Sequence, residues 1–291
     1  MIYYYIPDFF WHYNLNVKLL ELIQNKPEMF YDDFKIGAVF GNFPNCIWNG
    51  GRTWNGRHSD VKEHQYISQV FNSYGVPLRL TMTNNFITET DCYDRFANYI
   101  MKNCENGFNQ VLVANPMLEE HIRKNYPKYP IIRSIIAAQE GELYDTSDEY
   151  FMTVLKKTKN NDLEYLKSIE KKDKVEILVN EVCNPDCKMV HHYEGLNRLQ
   201  LYEDNCGEEL YLECPYDHTF DRQTFYNHPY CITRDKIKEI YEPMGFQHFK
   251  ISGRGPTYKA LVLDYAHYMV RPEYKEDFIV MMIDAILADG H

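Results

Sequence analysis

The sequence is poor in the features that send a chain out of the cell, into a membrane or onto a free nucleic acid. Met1 to Asp8 has no cationic start followed by an apolar run, so the N-terminus does not read as a signal peptide. No stretch approaches the roughly 18 apolar residues of a membrane span. Basic residues are few: 31 Lys and Arg stand against 42 Asp and Glu, a formal net charge of -11. A basic footprint for strong free nucleic-acid binding is therefore missing at whole-chain level. Common catalytic signatures are missing too. There is no Gly-x-Ser-x-Gly elbow, no His-Glu-x-x-His helix and no P-loop. No third cysteine follows Cys187 at the short range that radical S-adenosylmethionine enzymes use. No Pro/Ser-rich linker, repeat or low-complexity run divides the chain, so 1–291 reads as one domain.

What is present suits an ordinary core. Hydrophobic residues make up 45% of the 291 residues, inside the globular range. The 25 Tyr and 16 Phe are many; they read as a tyrosine-rich core and surface, or as stacking groups for a base or aromatic substrate. Without a leader the expected compartment is the cytoplasm, where thiols stay reduced. Eight cysteines then point to metal binding or packing rather than to disulfides.

Short β-rich runs alternate with helical patterns. Strands are expected at Tyr3–Pro7, Lys35–Phe40, Leu78–Thr83, Gln110–Ala114, Ile131–Ile136, Tyr150–Leu155, Val175–Asn180 and His248–Ser252. Helices are expected at Val17–Lys26, Val61–Ser73, Asp91–Cys104, Leu118–Asn125, Leu163–Ile169, Arg234–Tyr241, Tyr258–His267 and Glu276–Ala288. The sixth strand is ambiguous, because Ser147–Lys157 also reads as a helix. Eight strand–helix units, with no Gly-rich dinucleotide turn after the first strand, favour a closed (β/α)8 barrel over an open sheet. A loop-rich insertion runs from Glu181 to Tyr230, with Cys231 at its end.

Several strands run into asparagine: Asn42, Asn84, Asn115 and Asn180. Barrel strands end at the active-site mouth, and an amide there both donates and accepts. Asparagine also makes local turns after strands. In the strand 8 turn, Arg254 suits a carboxylate or phosphate clamp, and Gly253 allows a tight turn or close ligand approach. Arg52, beside Trp48 and Asn49-Gly50-Gly51, offers a second candidate after strand 2. His191 and Glu194 follow the cysteine pair, a residue combination suited to acid–base work.

Five cysteines crowd into 49 residues: Cys183, Cys187, Cys206, Cys214 and Cys231. Thiolates close in sequence on a loop are what a soft metal needs. An iron–sulfur cluster takes four, and so does a structural zinc; spacing does not choose between them. Cys92 and Cys104 read as buried small hydrophobes, and Cys46 lies in the loop after strand 2.

Lys250-Ile251-Ser252-Gly253-Arg254 resembles the Lys-Ile-Glu-Gly-Arg signature of the collagenase-like peptidases (peptidase family U, number thirty-two). Cys231 to Ile237 is similar to the family's Cys-Leu-Ser-x-Lys-Asp-Leu segment, and Val175 to Cys187 to its strand leading into the first cysteines. Ser252 stands where the family has Glu, and the first cysteine pair is closer together than usual. The resemblance implies a barrel-type fold and a [4Fe-4S] cluster on Cys183, Cys187, Cys214 and Cys231, with Cys206 spare. Family members include peptidases and proteins of oxygen-independent hydroxylation of ubiquinone precursors and RNA bases.

The resulting expectation is an iron–sulfur barrel enzyme of the hydroxylase-like branch, acting on a small-molecule or nucleobase-like substrate. Arg254, Asn180 and His191 would be catalytic; Asn84, Asn115, Arg52 and Gly253 would bind substrate. The alternatives are a zinc-stapled accessory subunit that binds a protein partner, and a peptidase.

Overall fold

Strands this short and apolar need cover on both faces, and here the sheet obtains it by closing on itself. The computed structural model describes residues 1–50, 59–137, 148–180, 197, 198, 200, 201, 225–228, 231–253 and 258–288. Eight strands pair in parallel and in chain order: β1 (Ile2–Pro7), β2 (Phe34–Gly41), β3 (Leu78–Met82), β4 (Gln110–Val113), β5 (Ile131–Arg133), β6 (Met152–Val154), β7 (Val175–Leu178) and β8 (His248–Lys250). β8 returns to β1 through Tyr3↔His248 and Tyr5↔Lys250, which closes the expected (β/α)8 barrel.

Among the described residues the helices are α1 (Tyr13–Asn25), α2 (Val61–Ser73), α3 (Arg95–Cys104), α4 (Pro116–Asn125), α5 (Leu163–Ser168), α6, α7 (Tyr258–Met269) and α8 (Lys275–Ala288). The stretch labelled α6 is α-helical over Arg234–Lys236, π-helical over Ile237–Tyr241 and α-helical again over Glu242–Met244. The wide turn lies just before Pro243, which lacks an amide and crowds the carbonyl four residues back. Gly245 then ends the helix at φ 103°.

The structure departs from the expected boundaries for physical reasons. Met152–Val154 pairs with both β5 and β7, so the helical reading of that stretch fails; Met152 and Val154 both face the barrel interior, a period of two. The expected helix Asp91–Cys104 breaks into a 3-10 turn at Asp91–Tyr93 and α3, because Asp94 leaves helical geometry to cap Ala97 N. Strands 7 and 8 stop at Leu178 and Lys250, two residues early. Asn180 and Ser252 are taken up instead by hydrogen bonds to one another. No helix joins β5 to β6 among the described residues, so the pattern of eight strand–helix units is incomplete there.

Two apolar layers result. Tyr5, Ala38, Phe40, Leu112, Ile132, Met152, Val154 and Leu178 fill the barrel. A larger layer lies between barrel and helices. Buried tyrosines there keep their hydroxyls bonded: Tyr129 donates to Met101 O, Tyr241 to Asn160 O and Tyr265 to Asn16 Oδ1. No helix among the described residues is long and apolar enough to cross a membrane.

Burial also sets an acid limit. His64, His248 and His267 are each pushed down from 6.5 to about 4, chiefly by removal from water. Between those values the unfolded chain binds protons that the fold does not. Their contribution is therefore complete above pH 6.5 and lost as the pH falls toward 4. The urea midpoint should fall across that window, and His248→Gln should reduce the slope by about one proton. A midpoint independent of pH there would contradict the burial of these rings.

Candidate active site at the barrel mouth

The floor beneath the mouth is charged. Arg79 on β3 and Glu176 on β7 project inward with no exposed surface and form an ion pair across the barrel. Arg79 Nε also donates to Gln110 Oε1 at 2.9 Å, and its guanidinium lies 4.0 Å over the Tyr5 ring. Lys250 Nζ stands 3.4 Å from the other oxygen of Glu176 and 4.1 Å over the Phe40 ring. Tyr5 Oη sits 2.8 Å from His248 Nδ1. Burial opposes ionisation of Glu176, but Arg79 and Lys250 outweigh it and hold the carboxyl below its usual range.

Above this floor the strand-end asparagines lace neighbouring strand ends together. Asn42 donates to Thr81 O (3.1 Å) and accepts from Phe43 N. Asn84 donates to Ile47 O and Asn197 O, both at 3.0 Å, and accepts from Phe86 N. Asn115 caps α4 by accepting from Met117 N and Leu118 N, and donates to Asn85 O and Ile87 O. Asn180 donates to Ser252 O and to Asp264 Oδ2, and accepts from Ser252 N at 2.6 Å. The amides of Asn84, Asn115 and Asn180 are thus occupied by the protein in this conformation. Gly253 has an equally internal reason: a Cβ there would lie 2.6 Å from Pro7 Cγ.

A cover lies over the β2–β3 side. In the loop after β2, Phe43, Cys46, Trp48 and Asn49 are buried although no strand or helix holds them. Trp48 Nε1 donates to Asp91 O at 2.8 Å. Asn45 and Asp8, at the ends of β2 and β1, take φ 60° and 63°, a region that costs a non-glycine residue energy. Residues of the insertion reach this rim, which is opposite β7. Gln200 Nε2 donates to Cys46 O at 3.2 Å, and Arg198 lies 4.1 Å over the Phe86 ring. Gly50 permits that approach, since its Cβ would meet Thr83 Oγ1 at 2.6 Å and Asn197 Oδ1 at 3.2 Å.

The insertion is also held from the other side. Tyr226 donates to Asp264 Oδ1 at 2.9 Å and stacks on His267 at 3.8 Å with the rings 8° apart. Cys231 has no exposed surface; its Sγ lies 3.7 Å from Tyr268 Oη. The next residue, Ile232, donates its amide to Val179 O at 2.8 Å, beside the end of β7. Asp264, His267 and Tyr268 share one face of α7 by their i, i+3, i+4 spacing.

The chain is similar in structure to a U32 peptidase. The structure of the U32 peptidase Mk0906 matches it at 15% identity with a TM-score of 0.46, covering 88% of this chain and 95% of that one. No family model and no curated protein matches the sequence. The barrel itself is defined by its strand pairing.

Of the expected site residues, Asn84, Asn115, Asn180 and Gly253 lie at or just past strand ends as described, and Cys231 is buried against Tyr268 of α7. Arg52, Cys183, Cys187, His191, Cys206, Cys214 and Arg254 lie outside the described residues. Among the described residues no three His, Cys, Asp or Glu side chains cluster as metal ligands. Cys92 and Cys104 are buried, and burial pushes the Cys46 and Cys104 thiols upward, each to about 12, so they are unreactive near neutrality. The ionic floor was missed in the sequence. Its signal was a charge within three short strands, Arg79 in β3, Glu176 in β7 and Lys250 in β8.

Proposed function

We propose that this chain is a cytoplasmic metal–thiolate barrel enzyme whose substrate, small or nucleobase-like, enters the mouth between the ionic floor and the insertion. The observation that carries the reading is the position of Cys231. Its thiol is dry, at the exit of β7, with a tyrosine hydroxyl 3.7 Å from the sulfur. Exclusion of water is one of the features that tune a ligand thiolate, while the Tyr268 hydroxyl gives its proton to Ile232 O at 3.1 Å. Three peptide units separate Asn180 from Cys183, a reach of about 11 Å, and the hydrogen bond from Ile232 to Val179 brings Cys231 to the same strand end. Cys183, Cys187, Cys214 and Cys231 would hold a [4Fe-4S] cluster. When bound, such a cluster supplies one-electron chemistry at the mouth. The described residues' part is enclosure: the buried loop after β2, with Gln200 docked on it, covers the β2–β3 side, while Lys250 and Arg79 set a positive field beneath.

Protein purified without oxygen should be brown and carry about four iron atoms per chain. Cys183→Ala and Cys231→Ala should each abolish that content while the far-ultraviolet circular dichroism of the barrel persists. One zinc and no colour would replace the redox reading with a stapled insertion that serves a partner protein. No metal at all would overturn both.

A further inference from the structure

A second candidate lies on the outside of the barrel, on α3 and α4. α3 presents Arg95, Asn98, Tyr99 and Lys102 at i, i+3, i+4 and i+7, one face of a helix. With α4 this face borders a shallow, solvent-open groove of about 510 Å³. Its floor is fixed by hydrogen bonds. His121 Nε2 sits 2.9 Å from Asn98 Oδ1, and Tyr126 donates to the same oxygen at 2.7 Å. The His121 ring is also wedged edge-on between Trp48 (5.6 Å) and Tyr93 (5.7 Å).

The walls differ from the floor. Tyr93 and Tyr99 are 69% and 54% exposed. Neither Arg95 nor Lys102 has an ion pair or hydrogen bond through its charged group among the described residues. No carboxylate lines the groove. The two cations stand seven residues apart, about 10.5 Å along the axis, with Tyr99 between them. Exposed rings offer stacking faces and free cations offer charge, on a chain whose net charge is -11.

We propose that the α3–α4 groove binds a small planar aromatic ligand bearing an anionic group, of the size of a nucleoside monophosphate. The ring stacks on Tyr99 and Tyr93, and the anion meets Arg95 or Lys102. This site is independent of any metal at the mouth.

The test is calorimetric titration of the full chain with adenosine 5′-monophosphate, and separately with adenosine and with inorganic phosphate. The monophosphate should bind one per chain, at least about tenfold more tightly than either part alone, and more weakly as salt rises. Arg95→Ser with Lys102→Ser should bring its affinity down to that of adenosine. Tyr99→Ser should weaken the monophosphate and adenosine alike. All three positions are exposed, so melting temperatures should hold. Absence of saturable binding, affinity unchanged in these variants, or adenosine binding as tightly as the monophosphate would each overturn the proposal.

Discussion

Glu176→Met is expected to be the most damaging single change inside the barrel, at about 3–5 kcal/mol. The carboxylate lies between two cations, Arg79 and Lys250, and all three are buried. Removing it leaves two like charges in a low-dielectric interior, each stripped of water. Arg79→Met should cost less, because Glu176 keeps Lys250. The double variant Arg79→Met/Glu176→Met should be less damaged than the sum of the singles, since it removes a whole pair. Urea unfolding of the four proteins measures this directly. Additivity within about 0.5 kcal/mol would show that Arg79 and Glu176 are not coupled. The network also has its own acid limit. Glu176 titrates below its ordinary 4.5, so its contribution is present above that value and is lost as the pH falls through the lowered one.

Asp264→Ala should cost about 3 kcal/mol and release the insertion. Its buried carboxylate accepts from Asn180 and from Tyr226, and both donors would be left without it. A carboxylate that accepts two such bonds contributes more than a neutral partner does. Asn180 links to β8 through Ser252, so the strand end should loosen too. Hydrogen exchange is the informative measurement: amides of 225–228 and 231–232 should exchange faster, and those of β3 and β4 should not. Unchanged exchange in the first group would mean that the Tyr226–His267 stack holds the insertion unaided.

The barrel was legible in the sequence because its signals are local. Alternation of strand and helix, and stops such as Gly75 and Gly107, are written within a few residues. The boundary errors came where a side chain answered to something distant. Asn180 and Ser252 left their strands for each other across 72 residues, and no window of sequence contains that bond. The sixth strand was ambiguous because three residues are too few for a period to show. At the mouth, the asparagines were found by position, while their use depends on backbone carbonyls that the sequence does not point to. The ionic floor was missed, because only the closed barrel brings Arg79 and Glu176, 97 residues apart, into contact. The Tyr226–Asp264 pair had no sequence signal.

The cover over the mouth has a consequence for the order in which the protein assembles. Asn84 and Asn197 are 113 residues apart, and Cys46 and Gln200 are 154 apart. Such contacts require β2, β3 and β7 to be in place already, since ordering the intervening chain for a few hydrogen bonds alone would be unfavourable. The contacts of Asn197 and Gln200 are therefore expected to form after those strands have paired, and to open at a lower cost than the barrel. Opening them would uncover the β2–β3 side of the mouth while the strands stay paired.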